Sequence, residues 1–156
     1  MAKDIQTWLD EYGESHQNQT NKTIHWVCVP LIFWTITAFI WAIPVPEALS
    51  SIPYLNWASI SAAIVILFYL RLSMAITLGM AVFTALCFYT VHLVDQAFPG
   101  QLVIIAAVAF IVLWIGQFIG HKVEGKKPSF FKDIQFLMIG PAWLMSFIFK
   151  KMGVKY

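Results

Sequence analysis

Charge is what this sequence lacks. Asp, Glu, Lys and Arg make up 12% of its 156 residues, against ~25% in an average soluble domain. Hydrophobic residues make up 60%, and the mean hydropathy is +0.73. No charged residue lies between Lys22 and Glu47, Glu47 and Arg71, Arg71 and Asp95, or Asp95 and Lys122. Each empty interval is long enough for a transmembrane helix of ~20 residues. Charges collect between such helices because a charge at the bilayer centre is costly. Four or five spans use up the length and leave no room for a soluble catalytic domain, so residues 1–156 are expected to form one integral membrane domain. The net charge of +2 is too small to suggest a nucleic-acid partner. Cysteine is scarce too: Cys28 and Cys87 both lie inside apolar runs and read as packing residues rather than a disulfide. The polar stretch 1–22 has no apolar core of the kind a cleavable signal peptide needs.

What is present is helical. The expected fold is an all-α, polytopic transmembrane bundle of four to five spans with a short N-terminal amphipathic helix. That first helix covers residues 4–15, where Ile5, Trp8, Leu9 and Tyr12 form one stripe able to rest on the membrane interface or on the bundle. Spans follow at about 24–43, 55–70, 74–94 and 102–121. Pro44, Pro46 and Pro53 bracket the first turn, Arg71-Leu72-Ser73 is a tight one, and Pro99-Gly100 breaks the chain before the fourth span. A last apolar stretch, 134–149, is marginal for crossing and contains Gly140-Pro141. Lysine and arginine near the spans set orientation. With the N-terminus inside, Lys3, Lys22, Arg71, Lys122, Lys126, Lys127 and Lys132 all face the cytoplasm, while Glu47 and Asp95 lie outside. Lys150, Lys151 and Lys155 conform only if the last stretch does not cross. An inner bacterial membrane is the expected location. The glycosylation patterns at Asn18 and Asn21 are accidental on a cytoplasmic side.

Topology sorts the four histidines. His25 opens the first span and His121 closes the fourth, at the same face, with His16 just upstream of His25. His92 lies ~28 Å along the third span from Ser73, so it is expected at the opposite face. Gln117, His121 and Glu124 share one helix face, and so do Asn18, Asn21 and His25. His16 and His25 can share a ligand only if the helix breaks within Gln17–Thr20, which the composition permits. Imidazole is the commonest transition-metal ligand, and three of them with one carboxylate suit Fe(II), Zn(II) or Mn(II) with positions left open. Nearby Asn and Gln could fix the ring tautomers. The plainer readings stay open. Histidines at helix ends often only sit in the interface, and nine residues between His16 and His25 is not a usual zinc spacing. Glu124 can pair with Lys122 or Lys127, and Lys22 or Lys122 can snorkel rather than attract a carboxylate.

The stretch Tyr12-Gly13-Glu14-Ser15-His16, with Asn18, Asn21-Lys22, His25 and Val29-Pro30, resembles the N-terminal signature of the Mpo-like membrane family. Gln117-Phe118-Ile119-Gly120-His121, then Glu124, Pro128, Asp133 and Gly140-Pro141, resembles its second signature. The resemblance covers nearly the whole chain. It implies an Fe(II)-dependent dioxygenase, independent of 2-oxoglutarate, that uses O2 to shorten 2-hydroxy fatty acids by one carbon in α-oxidation. His16, His25 and His121 are then the implied iron ligands. His92, within a matching His-Leu-Val-Asp stretch, would be a fourth. His25, His121 and Glu124 are the implied catalytic residues, with Tyr12, Asn18, Asn21, Lys22 and Gln117 contacting substrate or steadying the ligands. The family pattern places the glutamate four residues after the histidine, whereas Glu124 is three after His121. Other classes compete with this reading: a zinc-dependent membrane hydrolase, a haem protein ligated by His25 and His121, or a scaffold without metal. An ion transporter is disfavoured because no charged residue lies within a span.

Overall fold

The computed structural model describes residues 3–50, 52, 55–131 and 135–156. Pro53, Lys132, Asp133 and Ile134 lie outside the described residues. The order of elements is α1 (Ile5–Gly13), α2 (Gln19–Trp41), α3 (Glu47–Ser50), α4 (Trp57–Leu70), α5 (Met74–Ala97), α6 (Leu102–Glu124), a 3-10 turn (Ser129–Phe131) and α7 (Phe136–Met152). No strand occurs among the described residues.

Local signals set the helix ends. The Asp4 carboxylate accepts from the Thr7 amide, Asn18 from those of Thr20 and Asn21, Asn56 from that of Ser59, and Ser73 from that of Ile76. Each side chain satisfies a first-turn N–H that has no helical partner. Gly125 ends α6 at φ 74°, a left-handed conformation that glycine adopts without a Cβ penalty. The chain leaves helical geometry from Glu14 to Asn18. The break therefore starts earlier than the Gln17–Thr20 window and ends inside it.

Among the described residues, three helices, α2, α5 and α6, are long and apolar enough to cross a membrane. The apolar helices α4, of 14 residues, and α7, of 17, are shorter. The outer surfaces of α5 and α6 are apolar: Val82 is 72% exposed and Ile104 65%. Water would not support continuous surfaces of this kind, and lipid would.

The long helices pack through small residues. α6 carries Gly116 and Gly120 one turn apart, facing α2. A Cβ at Gly116 would stand 3.0 Å from the Cys28 Sγ, and one at Gly120 would collide with the Asn21 Oδ1. Small residues at this spacing let two membrane helices approach closely. α2 and α6 run antiparallel: Phe39 near the end of α2 meets Phe110 in the first half of α6 at 5.8 Å between ring centroids, so the start of α2 meets the end of α6. The stripe Ile5, Trp8, Leu9 and Tyr12 is buried, and it packs against α7 through Trp8–Phe136 and Tyr12–Trp143 contacts at 5.2 and 5.4 Å. Gly140 makes room for it, since a Cβ there would lie 2.9 Å from the Tyr12 hydroxyl. Pro141 cannot donate to the preceding turn. Beside it, the Tyr69 hydroxyl at the end of α4 donates to the Met138 carbonyl at 2.6 Å.

Candidate metal centre

Three buried histidines from three separate segments meet where α1, α2 and α6 converge. His16 lies in the α1–α2 break, His25 on the second turn of α2, and His121 in the last turn of α6. One nitrogen from each lies within 4.8 Å of the other two. The ring centroids are 4.3 Å apart for His16–His25, 4.9 Å for His25–His121 and 5.0 Å for His16–His121.

Backbone carbonyls fix two of the tautomers. The His16 Nδ1–H donates to the Tyr12 carbonyl at 2.6 Å, and the His25 Nδ1–H donates to the Asn21 carbonyl at 2.9 Å. A carbonyl can only accept, so in the neutral rings both Nε2 atoms carry lone pairs. Those two atoms face each other at 2.9 Å. Two lone pairs at that distance repel unless a proton or a metal ion lies between them. Burial opposes the proton, pushing the His16 pKa down to about 4 against the smaller, opposite pull of its bond to the Tyr12 carbonyl. The His121 Nδ1 is also buried and has no hydrogen-bond partner. Ligand nitrogens ~2.1 Å from one ion and at right angles stand ~3 Å apart, which matches the His16–His25 separation. The donor set therefore fits a divalent transition metal.

Aromatic rings wall the site. Tyr12 stacks on His16 at 4.1 Å with 10° between planes, and Trp143 lies 5.2 Å from His16. The Ser15 and Ser129 hydroxyls hydrogen-bond each other, and the Lys126 ammonium donates to the Glu14 carbonyl at 2.7 Å. The α1–α2 break is thereby tied to the segment after α6.

Glu124 is engaged elsewhere. One carboxylate oxygen accepts from the Gln17 amide at 2.8 Å. The other accepts from the Asn18 amide at 2.8 Å and the Asn21 Nδ2 at 3.1 Å. It thus clamps the end of α6 to the start of α2, where the helix dipole also favours an anion, and it is not among the three converging groups. Asn18 caps α2, while Asn21 is fully buried and also donates to the Ser15 carbonyl at 3.2 Å. Lys22 lies half-buried in the first turns of α2.

His92 is not at the centre. It is exposed on α5, with its ring 6.2 Å from Trp41 at the far end of α2. Trp41 is ~24 Å along that helix from His25. The structure thus brings His16, His25 and His121 together and places His92 apart from them.

His25 and His121 stand at the head of an apolar cleft. α2 forms its floor through His25, Val29, Ile32, Phe33 and Ile36, with α6 on one side and α7 on the other. The cavity measures about 70 Å³. Gln117 lines it one turn before His121, and its buried Nε2 has no partner. The cleft, the Glu124 clamp and the Trp143 wall were not apparent from sequence spacing. The four-residue spacing of Gly116 and Gly120 was the available signal for the α2–α6 approach, and Gly140-Pro141 reads from sequence only as a kink.

A family model described as "2-hydroxy-palmitic acid dioxygenase Mpo1-like" matches residues 2–152. No curated protein and no solved structure matches the chain significantly.

Proposed function

As this chain belongs to the Mpo1-like family, we propose that it is an Fe(II)-dependent dioxygenase that shortens 2-hydroxy fatty acids by one carbon at a membrane surface. The observation that carries this reading is the convergence of three buried imidazoles, two of which line the head of an apolar cleft. His16, His25 and His121 would hold the iron, which when bound would supply a centre that brings the hydroxy acid and O2 together.

The chain's own residues do the rest. The Tyr12 and Asn21 carbonyls hold the His16 and His25 lone pairs toward the site, the usual task of groups behind metal-bound histidines. The Gln117 amide offers a buried, unspent donor to the carboxylate or hydroxyl of the substrate head. Leaving that donor unpaired in the free protein costs stability that a matching acceptor restores. Val29, Ile32, Phe33 and Ile36 receive the acyl tail, so its apolar surface leaves water or lipid without a polar group being buried. Glu124 positions rather than reacts, since the α2 start occupies its oxygens. Lys22 beside the site adds positive charge that draws an acid.

The same reading takes the chain as one integral membrane domain, with α4 and α7 completing a bundle of four or five spans around the three long helices. Lys22, Arg71 and Lys122 all fall at the helix ends nearest the histidines, so the centre faces the cytoplasm. A reporter fused after Asp95 should then be extracytoplasmic.

The test is metal analysis of the purified protein together with O2 uptake on 2-hydroxypalmitate. Iron, O2 consumption and an acid one carbon shorter are expected. Zinc without O2 uptake would replace this reading with a hydrolase, and a Soret band would replace it with a haem protein.

A further inference from the structure

The apolar cleft does not end in solid protein. A second cavity, also about 70 Å³, continues along the same stripe of α2. Phe33, Ile36, Thr37 and Ile40 line it from α2, Ala62 and Val65 from α4, and Thr84 and Phe88 from α5. Phe33 and Ile36 line both cavities and so form the partition between them. From His25 to Ile36 the floor rises ~16 Å, and from His25 to Ile40 ~22 Å. Phe33 is held in place by Phe83 on α5, with ring centroids 5.2 Å apart. Ile36 is 40% exposed, so its side chain can change size at little cost to packing.

We propose that Phe33 and Ile36 set the acyl-chain length this protein accepts, with the cavity beyond them as space that only a smaller residue at either position opens. The inference rests on the dioxygenase reading for the identity of the head group. The physical cause is steric. A chain anchored by its head at the histidines reaches the partition after a fixed number of methylenes, and the next methylene meets a side chain instead of a void. One methylene accommodated or refused in an apolar pocket changes specificity by ~10-fold or more.

Two readouts on the full-length protein test this. The first is kcat/KM across 2-hydroxy acids of graded length. The second is displacement of a fluorescent fatty acid by unhydroxylated saturated acids of the same lengths, which requires no chemistry. Ile36→Ala and Phe33→Leu should each move both optima to longer chains, changing the ratio of longest to shortest acid by ~10-fold. Phe33→Ala should move them further, and Ala62→Phe added to Phe33→Ala should reverse the move by filling the second cavity. Ile36→Trp should shift both optima to shorter chains. If Phe33→Ala does not fold, Ile36→Ala and Phe33→Leu decide the matter. Displacement profiles that shift in a protein without turnover would end the dioxygenase reading and leave the length limit standing. Turnover with both profiles unmoved by Ile36→Ala, Phe33→Leu and Ile36→Trp would overturn the length limit alone.

Discussion

His16 and His25 present their Nε2 atoms to each other at 2.9 Å while both rings spend their Nδ1 protons on backbone carbonyls. Two acceptors held this way make a poor hydrogen bond and a good pair of ligands. Nine residues separate them in sequence, and only the break before Asn18 lets them meet. Four predictions follow from the arrangement around this pair.

Loss of any one ligand should empty the centre. Removing a group that merely supports a metal ligand costs ~10–100-fold in affinity, so His16→Ala, His25→Ala and His121→Ala should each exceed that. Iron retained on purification, measured by elemental mass spectrometry, should fall to background in all three. His92→Ala should keep both its iron and its O2 uptake, because that ring sits beside Trp41 at the other end of the bundle.

Glu124→Gln should loosen the junction without removing a ligand. The amide keeps one acceptor oxygen but turns a donor toward a backbone N–H that now meets a carboxylate. A loss of roughly 1–2 kcal/mol is expected from weakened charge-assisted bonds. Thermal unfolding in detergent should show the lower midpoint, with iron still bound at saturating metal. Wild-type stability in this variant would show that the clamp contributes nothing.

Gly120→Ala should cost more than Gly116→Ala. The added methyl meets the Asn21 Oδ1 at the first position and the Cys28 Sγ, at 3.0 Å, at the second. Overpacking of this kind costs ~1–3 kcal/mol. Because Asn21 also carries the carbonyl that orients His25, Gly120→Ala should weaken metal binding along with stability. A titration of apo-protein with Fe(II) or Zn(II) separates the two effects. Equal effects of the two substitutions would argue against the asymmetric contact.

Acid should destabilise the metal-free protein through His16. An unfolded imidazole takes up its proton near pH 6.5, whereas burial delays this in the folded chain to about pH 4. Between these values the unfolded state binds more protons, so stability falls as the pH drops. The His16 contribution is present above about pH 6.5 and lost by about pH 4. Unfolding midpoints across that range should show apo wild type losing stability relative to His16→Gln as the solution is acidified. A constant difference would remove His16 from the account.

The sequence by itself determined the features that depend on near neighbours along the chain. Empty intervals between charges marked the long apolar helices, because the cost of a buried charge acts wherever the chain lies. Asp4, Asn18, Asn56 and Ser73 cap helix starts through amides two or three residues away, so these ends also depend on near neighbours. Helical periodicity placed Gln117, His121 and Glu124 on one face. The paired signatures pointed to the family that the match over residues 2–152 shows. Which faces meet was decided only by tertiary structure, because apolar helices carry no long-range instruction in their hydropathy. Gly116 and Gly120 bring α6 against α2, Gly140 admits Tyr12, and Glu124 bonds to the start of α2. Those close approaches select three of the four histidines, turn two lone pairs toward each other and leave an apolar cleft behind them.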